Sequence, residues 1–289
     1  MTDTHSDNRK RGEQALSKLN RELNARERKE KTRPLGVVAV AAVAILALVG
    51  GIWFMATRDG DEEVEAQDET SQEQTTEQAT AEPLSGQRKE ALPATVTCDY
   101  KDAGEAAKKV SKPAGDDVST KGTQTVTLKT NQGDIDMELD RAVSPCTVNA
   151  IEHLAKEGYY NDTVCHRMTS GGLNVLQCGD PSGQGSGGPG FQFANEYPSD
   201  EMGDDPAAQK EPVTYPKGSI AMANAGADTN GSQFFLNYDD SELPPDYTYF
   251  GKVGDTGQKT LDGIAEKGVE GGAPDGKPAE EVKIESVEV

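Results

Sequence analysis

Two short segments in the second half of the sequence hold the side chains best suited to chemistry. Cys165–Met168 carries a histidine and an arginine, and Val175–Asp180, which carries a glutamine, follows closely. Ser219–Gly226 contains an asparagine and runs into Thr229–Phe235, which ends in Gln-Phe-Phe. An arginine is a permanently charged hydrogen-bond donor, and carboxamides both donate and accept hydrogen bonds. The spacing of these residues does not by itself identify a reaction.

The histidine, cysteine and glycine patterns exclude several kinds of site. A histidine-rich metal site is excluded because the chain has three histidines, His5, His153 and His166. None of the four cysteines forms a CxxC pair, so a zinc ribbon or a thioredoxin-type motif has no support. The glycine-rich stretch Gly179–Gly190 has no lysine and no G-K-[ST] ending, which excludes a P-loop. We expect it to form a tight loop that allows a close approach of the backbone.

Composition divides the chain into a folded part and an unfolded part. The net charge is −21 and the sequence pI is about 4.5, so most of the surface should repel nucleic acid, and no nucleic-acid partner is expected. Aromatic residues make up 5% and the mean hydropathy is −0.69, which is polar for one compact domain of 289 residues. Part of the chain is therefore expected to stay unfolded.

Residues 35–56 form an uncharged apolar run that is long enough to cross a membrane. As a helix, this run would rise roughly 33 Å, which matches a hydrocarbon core of ~30 Å. A cleaved signal peptide and a buried core helix are the alternatives, but the run is long and no A-x-A-like site follows it. Residues 1–34 hold ten Lys and Arg against six acids, while residues 59–87 hold ten acids and no Lys or Arg. The positive-inside rule therefore places the N-terminus in the cytoplasm and the remainder outside the cell.

The segments around this run have separate expected roles. Residues 1–34 are a basic cytoplasmic tail, which could also bind a partner or anionic lipid. Residues 57–95 have the composition of an acidic disordered linker. Residues 96–122 are a transition segment, and residues 123–289 are expected to form the ordered domain.

Periodicity within residues 123–289 predicts mainly β structure with two helices. Alternating apolar residues on both sides of the Asn131–Asp134 turn predict a hairpin with one buried face. Ser144 as N-cap and Pro145 at the first position predict a helix that ends near Gly158. Lys259–Lys267 is predicted as a second helix and Glu281–Val289 as a final strand. The many short strands between them favour an antiparallel barrel or sandwich with helical caps.

The two chemical segments, together with Phe250–Val253, closely resemble the signature of the cyclophilin family of peptidyl-prolyl cis-trans isomerases. The resemblance runs in the family's order from Thr123 to the C-terminus, and Leu243–Tyr247 resembles bacterial members. Combined with the apolar run, it points to a bacterial membrane-anchored member of the family. It implies an eight-stranded antiparallel barrel capped by two helices, with no cofactor and no metal. The implied partners are proline-containing peptides and unfolded exported proteins, with the bilayer contacted through residues 35–56.

By this resemblance Arg167 is the catalytic residue. Isomerisation must overcome the ~18–20 kcal/mol barrier to rotation about the amide bond without making or breaking a covalent bond. A catalyst must therefore favour the twisted state, in which the prolyl nitrogen regains its lone pair and accepts a hydrogen bond. A fixed guanidinium is suited to donate that hydrogen bond at any working pH.

The resemblance also implies the surrounding site. It places Val175, Phe235 and Leu243 in the prolyl pocket, and it places Ala223 along the peptide groove. Carboxamides that bind the substrate backbone or orient the arginine are implied at Gln177, Asn224 and Gln233. The remaining implied site residues are His166, next to the arginine, and Tyr247.

Three positions depart from the usual family pattern. Leu243 stands where a tryptophan is usual and Tyr247 where many members have histidine, and counting back from Gln177 puts Asn174 where many members have a phenylalanine. These changes leave open a second function, a membrane-tethered module that binds proline peptides with little turnover.

The family barrel also implies a pairing for the four cysteines. Cys165 and Cys178 lie on segments that are adjacent strands in that barrel, so they are expected to form a disulfide. Cys98 and Cys146 would then join the transition segment to the first helix. Four reduced thiols are the alternative.

Overall fold

The computed structural model describes residues 81–203 and 210–289. The expected basic tail at 1–34, the expected membrane-spanning run at 35–56 and the expected linker up to residue 80 lie outside the described residues. In the two described ranges, no helix is both long enough and apolar enough to cross a bilayer.

The described chain is mainly β structure with two α-helices. The helices are α1 (Pro145–Lys156) and α2 (Asp255–Lys267), and short 3-10 helices occur at Ser199–Glu201 and Glu270–Gly272. The strands are β1 (Thr95–Val96), β2 (Lys101–Asp102), β3 (Val118–Ser119), β4 (Thr123–Thr130), β5 (Gly133–Asp140), β6 (Thr163–Val164), β7 (Arg167–Thr169), β8 (Val175–Cys178), β9 (Phe191–Gln192), β10 (Val213–Tyr215), β11 (Ser219–Met222), β12 (Phe234–Asn237), β13 (Ser241–Leu243), β14 (Tyr249–Val253), β15 (Asp275–Gly276) and β16 (Lys283–Glu288).

One sheet of ten strands forms the body of the domain, where eight strands were expected. Its order is β15-β7-β8-β12-β11-β14-β5-β4-β16-β6, and every pairing in it is antiparallel. Strand β6 pairs with β16 and β7 pairs with β8, yet only Cys165 and His166 separate β6 from β7. The two ends of the sheet are therefore joined through one bent segment, and the sheet curls around a common core. The strand count differs because the bend at 165–166 divides this segment in two and because β15 adds a two-residue edge.

The expected hairpin is β4 and β5, which pair in register from Thr123–Asp140 to Thr130–Gly133. Val126 and Leu128 on β4 face the core, as do the three apolar residues of β5, Ile135, Met137 and Leu139. Alternation of apolar and polar side chains thus predicts the buried face correctly because successive side chains of a strand point to opposite sides.

Helix α1 begins at Pro145 with Ser144 at the N-cap position, as expected, but the Ser144 side chain does not cap the helix. Ser144 makes no side-chain capping bond, and its hydroxyl donates to the Tyr249 carbonyl instead. The buried carboxylate of Glu196 accepts from the backbone amides of Cys146 and Thr147 and from the Thr147 hydroxyl. A residue about fifty positions away therefore satisfies the helix N-terminus. Helix α2 ends at Lys267 as predicted but begins at Asp255, four residues before the predicted Lys259.

Residues 81–90, which we call the strap, were expected to be part of a disordered linker. They lie instead on the folded domain. Leu84 donates its amide to the Thr214 carbonyl and packs against the apolar cluster that contains Phe235. Arg88 is 8% exposed, donates from Nε to the Val143 carbonyl at 2.7 Å and pairs with Asp200 at 2.7 Å. Composition alone did not indicate this order because the partners of Leu84 and Arg88 lie far along the sequence.

Residues 96–122, the transition segment, are also part of the folded domain. Strand β1 pairs with β3, and β2 pairs with β9. Both expected disulfides are present, Cys98–Cys146 and Cys165–Cys178. The first attaches the transition segment to α1, and the second joins the segments that carry Arg167 and Gln177.

Candidate active site

Neighbouring strands bring Arg167 and Gln177 together. Strand β7 pairs with β8 so that Arg167 lies directly opposite Gln177, and residues opposite each other in an antiparallel pair share a face of the sheet. The Cys165–Cys178 disulfide joins the last residue of β8 to the residue two positions before Arg167. The register of the two strands, which decides whether these side chains meet, is therefore held by backbone pairing and by a covalent bond.

The guanidinium of Arg167 is held in one orientation. Its Nε donates to Asp275 Oδ1 at 2.9 Å and its Nη2 to Asp275 Oδ2 at 2.7 Å, which is the bidentate geometry typical of arginine and carboxylate. Its Nη1 donates to Gln177 Oε1 at 3.2 Å. These bonds use three of the five N–H donors of a guanidinium. Hydrogen bonding to Asp275 raises the pKa of Arg167, so the group stays charged.

A chain of carboxamides continues from Gln177. Its Nε2 donates to Gln233 Oε1 at 3.0 Å, and Gln233 Nε2 donates to the carbonyls of Gly185 and Gly187, each at 3.0 Å. The chain connects the ion pair at Arg167 to the glycine-rich loop. These hydrogen bonds fix the orientation of each amide, whereas a carboxamide without such partners is free to rotate.

An apolar pocket of about 140 Å³ opens beside Arg167. Its lining residues are Arg167, Leu173, Val175, Gln177, Ala223, Asn224, Phe235, Leu243 and Tyr247. Phe235 and Val175 are buried at its base, and the Phe235 ring meets the Tyr247 ring edge-on at 5.6 Å. The pocket thus combines an apolar base with one fixed cation and two carboxamides at its edge.

The structure brings together most of the residues that the sequence implicated. Eight of them line the pocket, and Gln233 adjoins it through Gln177. Asn224 donates from Nδ2 to the Asp246 carbonyl at 2.8 Å. His166 is the exception, because it does not line the pocket and its buried Nδ1 has no hydrogen-bond partner in the described part of the chain. Burial lowers the pKa of His166.

Two residues of the site were missed in the sequence. Leu173, and not Asn174, lines the pocket, while Asn174 donates to the Asp240 carbonyl. Strand alternation back from Gln177 through Val175 leads to Leu173 and would have found it. Asp275 is 108 residues from Arg167 and follows no motif, so no sequence signal identified it.

A buried aspartate organises the glycine-rich loop. Asp180 accepts from the backbone amides of Ser182, Gln184, Gly185 and Gly187 and from the Ser182 hydroxyl. Burial acts to raise the pKa of Asp180, but the hydrogen bonds from Ser182, Gly187 and Gly185 outweigh it and hold the pKa below its ordinary value. The loop that receives Gln233 is therefore shaped around an ionised carboxylate.

Asp180→Asn should make the stability of the domain less dependent on acid. The folded-state pKa of Asp180 lies below its unfolded value of about 4, so its contribution is present above that value and is lost as pH falls through the folded pKa. The free energy of unfolding, measured with denaturant at a series of pH values, should fall more steeply below about pH 4 for the wild type than for the variant. Parallel curves would contradict this assignment.

A wider groove of about 500 Å³ adjoins the pocket and shares Gln177, Ala223 and Asn224 with it. The glycine-rich loop forms one side of this groove, and Ala103 and Glu105 of the transition segment contribute to its lining. Within residues 81–203 and 210–289, no group of three His, Cys, Asp or Glu side chains is arranged to hold a metal ion.

Comparisons with a family model and with curated proteins both match this chain to peptidyl-prolyl cis-trans isomerases. Residues 125–289 match the family model described as cyclophilin type peptidyl-prolyl cis-trans isomerase/CLD. A probable peptidyl-prolyl cis-trans isomerase B of Mycobacterium leprae is 50% identical over 195 residues, which are 66% of this chain and 66% of that relative. One of the same name from Mycobacterium tuberculosis is 53% identical over 184 residues, 63% of this chain and 60% of the relative. Peptidyl-prolyl cis-trans isomerase B of Streptomyces anulatus is 39% identical over 180 residues, 56% of this chain and 94% of the relative. The chain therefore covers 60–66% of the length of the two mycobacterial relatives.

Proposed function

Since the chain belongs to the cyclophilin-type peptidyl-prolyl cis-trans isomerase family, we propose that it accelerates the isomerisation of X-Pro peptide bonds. The observation that carries the proposal is the position of Arg167, which is fixed by Asp275 and Gln177 at the edge of an apolar pocket. A pocket of about 140 Å³ is a suitable size for a prolyl ring.

Arg167 acts by favouring the twisted amide over both planar forms. Three of its N–H donors are used by Asp275 and Gln177, which leaves two for the substrate. With the ring held on Phe235 and Val175, a free N–H donates to the prolyl nitrogen as its lone pair develops. The planar amide offers no such lone pair, so the bond stabilises the transition state selectively. No nucleophile or proton transfer is needed.

The decisive test is an isomerisation assay on a peptide with one X-Pro bond. Exchange between the cis and trans forms, followed by NMR or by a coupled protease, should accelerate in proportion to the amount of protein added. Uncatalysed exchange takes tens to hundreds of seconds, which leaves a wide window for detection. Unchanged exchange at high protein concentration would refute the proposal.

Asp275→Asn should lower kcat/KM about three- to tenfold, because the guanidinium loses the bidentate partner that orients it. Both members of this pair are partly exposed, at 39% and 53%, so little stability should be lost. Asp162→Asn is a matched control, since it removes another exposed ion pair, to Lys283 at 2.8 Å. Equal kcat/KM for the two variants would contradict a positioning role for Asp275.

A binding module with little turnover is the second candidate function. It is favoured by Leu243, which stands where the family usually has a tryptophan and lines the pocket with a smaller side chain. Titration with a proline peptide that shifts its NMR signals without accelerating exchange would support this candidate over the isomerase.

We further propose that the protein is anchored in the cell membrane by residues 35–56, with its domain outside the cell and exported proteins as substrates. The charge asymmetry around the apolar run supports this orientation. The two disulfides also fit an oxidising compartment. Protease added to intact cells should digest the domain, and its protection until lysis would contradict the proposed orientation.

A further inference from the structure

The groove beside the prolyl pocket is completed by a part of the chain outside the family match. Ala103 and Glu105 contribute to its lining, and both precede residue 125, where the match begins. The groove shares Gln177, Ala223 and Asn224 with the pocket. The groove therefore offers a path along which a peptide whose proline occupies the pocket can extend past these two residues.

The segment that carries Glu105 is held firmly in place. Cys98 is bonded to Cys146 at the start of α1. Tyr100 is buried, meets the ring of Phe191 edge-on at 5.6 Å and donates its hydroxyl to the Cys146 carbonyl at 2.7 Å. Lys108 donates to the carbonyls of Gly158 and Asn161 at 2.7 and 2.9 Å. Contacts on both sides of Glu105 thus fix the backbone between them.

The glycine-rich loop fits this segment closely. Ala103 donates its amide to the Gly190 carbonyl and Ala107 to the Gly188 carbonyl. A Cβ on Gly190, which has φ +81°, would lie 3.3 Å from the Cβ of Ala106, and one on Gly187 would lie 2.9 Å from the Cβ of Ala107. Glycine at these positions is what permits the approach. The loop and the transition segment therefore form one wall of the groove.

Glu105 is the one ionisable side chain among the described residues that line this groove. None of the five lysines of the transition segment lines the groove, and three of them are engaged elsewhere. Lys108 caps the end of α1, Lys112 pairs with Asp102 at 2.8 Å, and Lys101 lies 3.9 Å from Asp99. Glu105 itself has no hydrogen bond or ion pair within residues 81–203 and 210–289. Its carboxylate is exposed and free to meet a ligand.

We propose that Glu105 makes the site selective for substrates with a lysine or arginine near the proline, on the flank that occupies the groove. The proposal rests on the proposed isomerase function and deepens it. The cation of the substrate and the carboxylate form an exposed ion pair, and partial exclusion of water by the bound peptide strengthens it. The preference should be modest because the pair stays close to solvent.

The test is kcat/KM for matched peptides with one Ala-Pro bond. Lysine, glutamine or glutamate is placed two or three residues before the bond, or at the same distances after it. At one or more positions, wild type should prefer lysine over glutamate about fivefold, and 1 M NaCl should remove most of the preference. E105Q should reduce the ratio to about one, and E105K should reverse it. Equal ratios for wild type and E105Q, or no preference in wild type, would overturn the proposal.

E266Q is the matched control, because Glu266 is an exposed acid on α2 and its loss changes the net charge equally. Its lysine-to-glutamate ratio should equal that of wild type. Turnover of the glutamine peptide tests the isomerase function separately. If wild type does not turn that peptide over, Kd values for the lysine and glutamate peptides replace kcat/KM, and the same ratios decide the role of Glu105.

Discussion

Arg167→Ala should lower kcat/KM for X-Pro isomerisation by about a hundred- to a thousandfold while the domain stays folded. Removing one preorganised donor to a developing acceptor typically has an effect of this size. The fold should tolerate the change because Asp275, the ion-pair partner, is half exposed and can be hydrated. Binding of a proline peptide should weaken much less than turnover, since the apolar base of the pocket is unchanged.

Arg167→Lys provides a sharper control, because it keeps the positive charge but loses the planar fork. A lysine cannot hold both Asp275 oxygens and Gln177 while donating to the substrate, so we expect at least a tenfold loss. Circular dichroism and a denaturant curve establish that each variant is folded. Wild-type kcat/KM in Arg167→Ala would refute the catalytic role of this residue.

Removing the Cys98–Cys146 disulfide, with serine at both positions, should cost about 4 kcal/mol of unfolding free energy. The bond spans 48 residues, and loop closure of that length in the unfolded chain gives this magnitude in the chain-entropy account. Denaturant unfolding of the oxidised wild type and of the double variant measures the difference. The variant should also lose part of the selectivity assigned to Glu105, because the wall of the groove is less firmly held.

The second disulfide serves as the comparison. Cys165–Cys178 spans 13 residues, so its replacement by two serines should cost about 3 kcal/mol. Its effect on turnover should be the larger of the two, since it joins the segments that carry Arg167 and Gln177. A smaller stability loss for Cys98–Cys146 than for Cys165–Cys178 would contradict the account from loop length.

Features that depend on residues close together in the chain could be predicted from the sequence. Alternation predicts the β4–β5 hairpin and its buried face, and a proline followed by a helical stripe predicts the start of α1. The motif around Arg167 leads to the family, and with it to the pocket residues that the structure places together. Such signals are readable because a strand or a helix repeats within a few residues.

Contacts between residues far apart in the sequence were found only in the folded domain. Asp275 pairs with Arg167 across 108 residues, Glu196 accepts from the amides at the start of α1 across about fifty, and the strap lies on the domain. Glu105 lines the groove because the transition segment packs against the glycine-rich loop. Each contact depends on how the sheet curls and where loops return, and neither is encoded in the spacing of neighbouring residues. A local motif is therefore enough to indicate the reaction. The orientation of Arg167 and the charge of the groove, in contrast, follow from the fold.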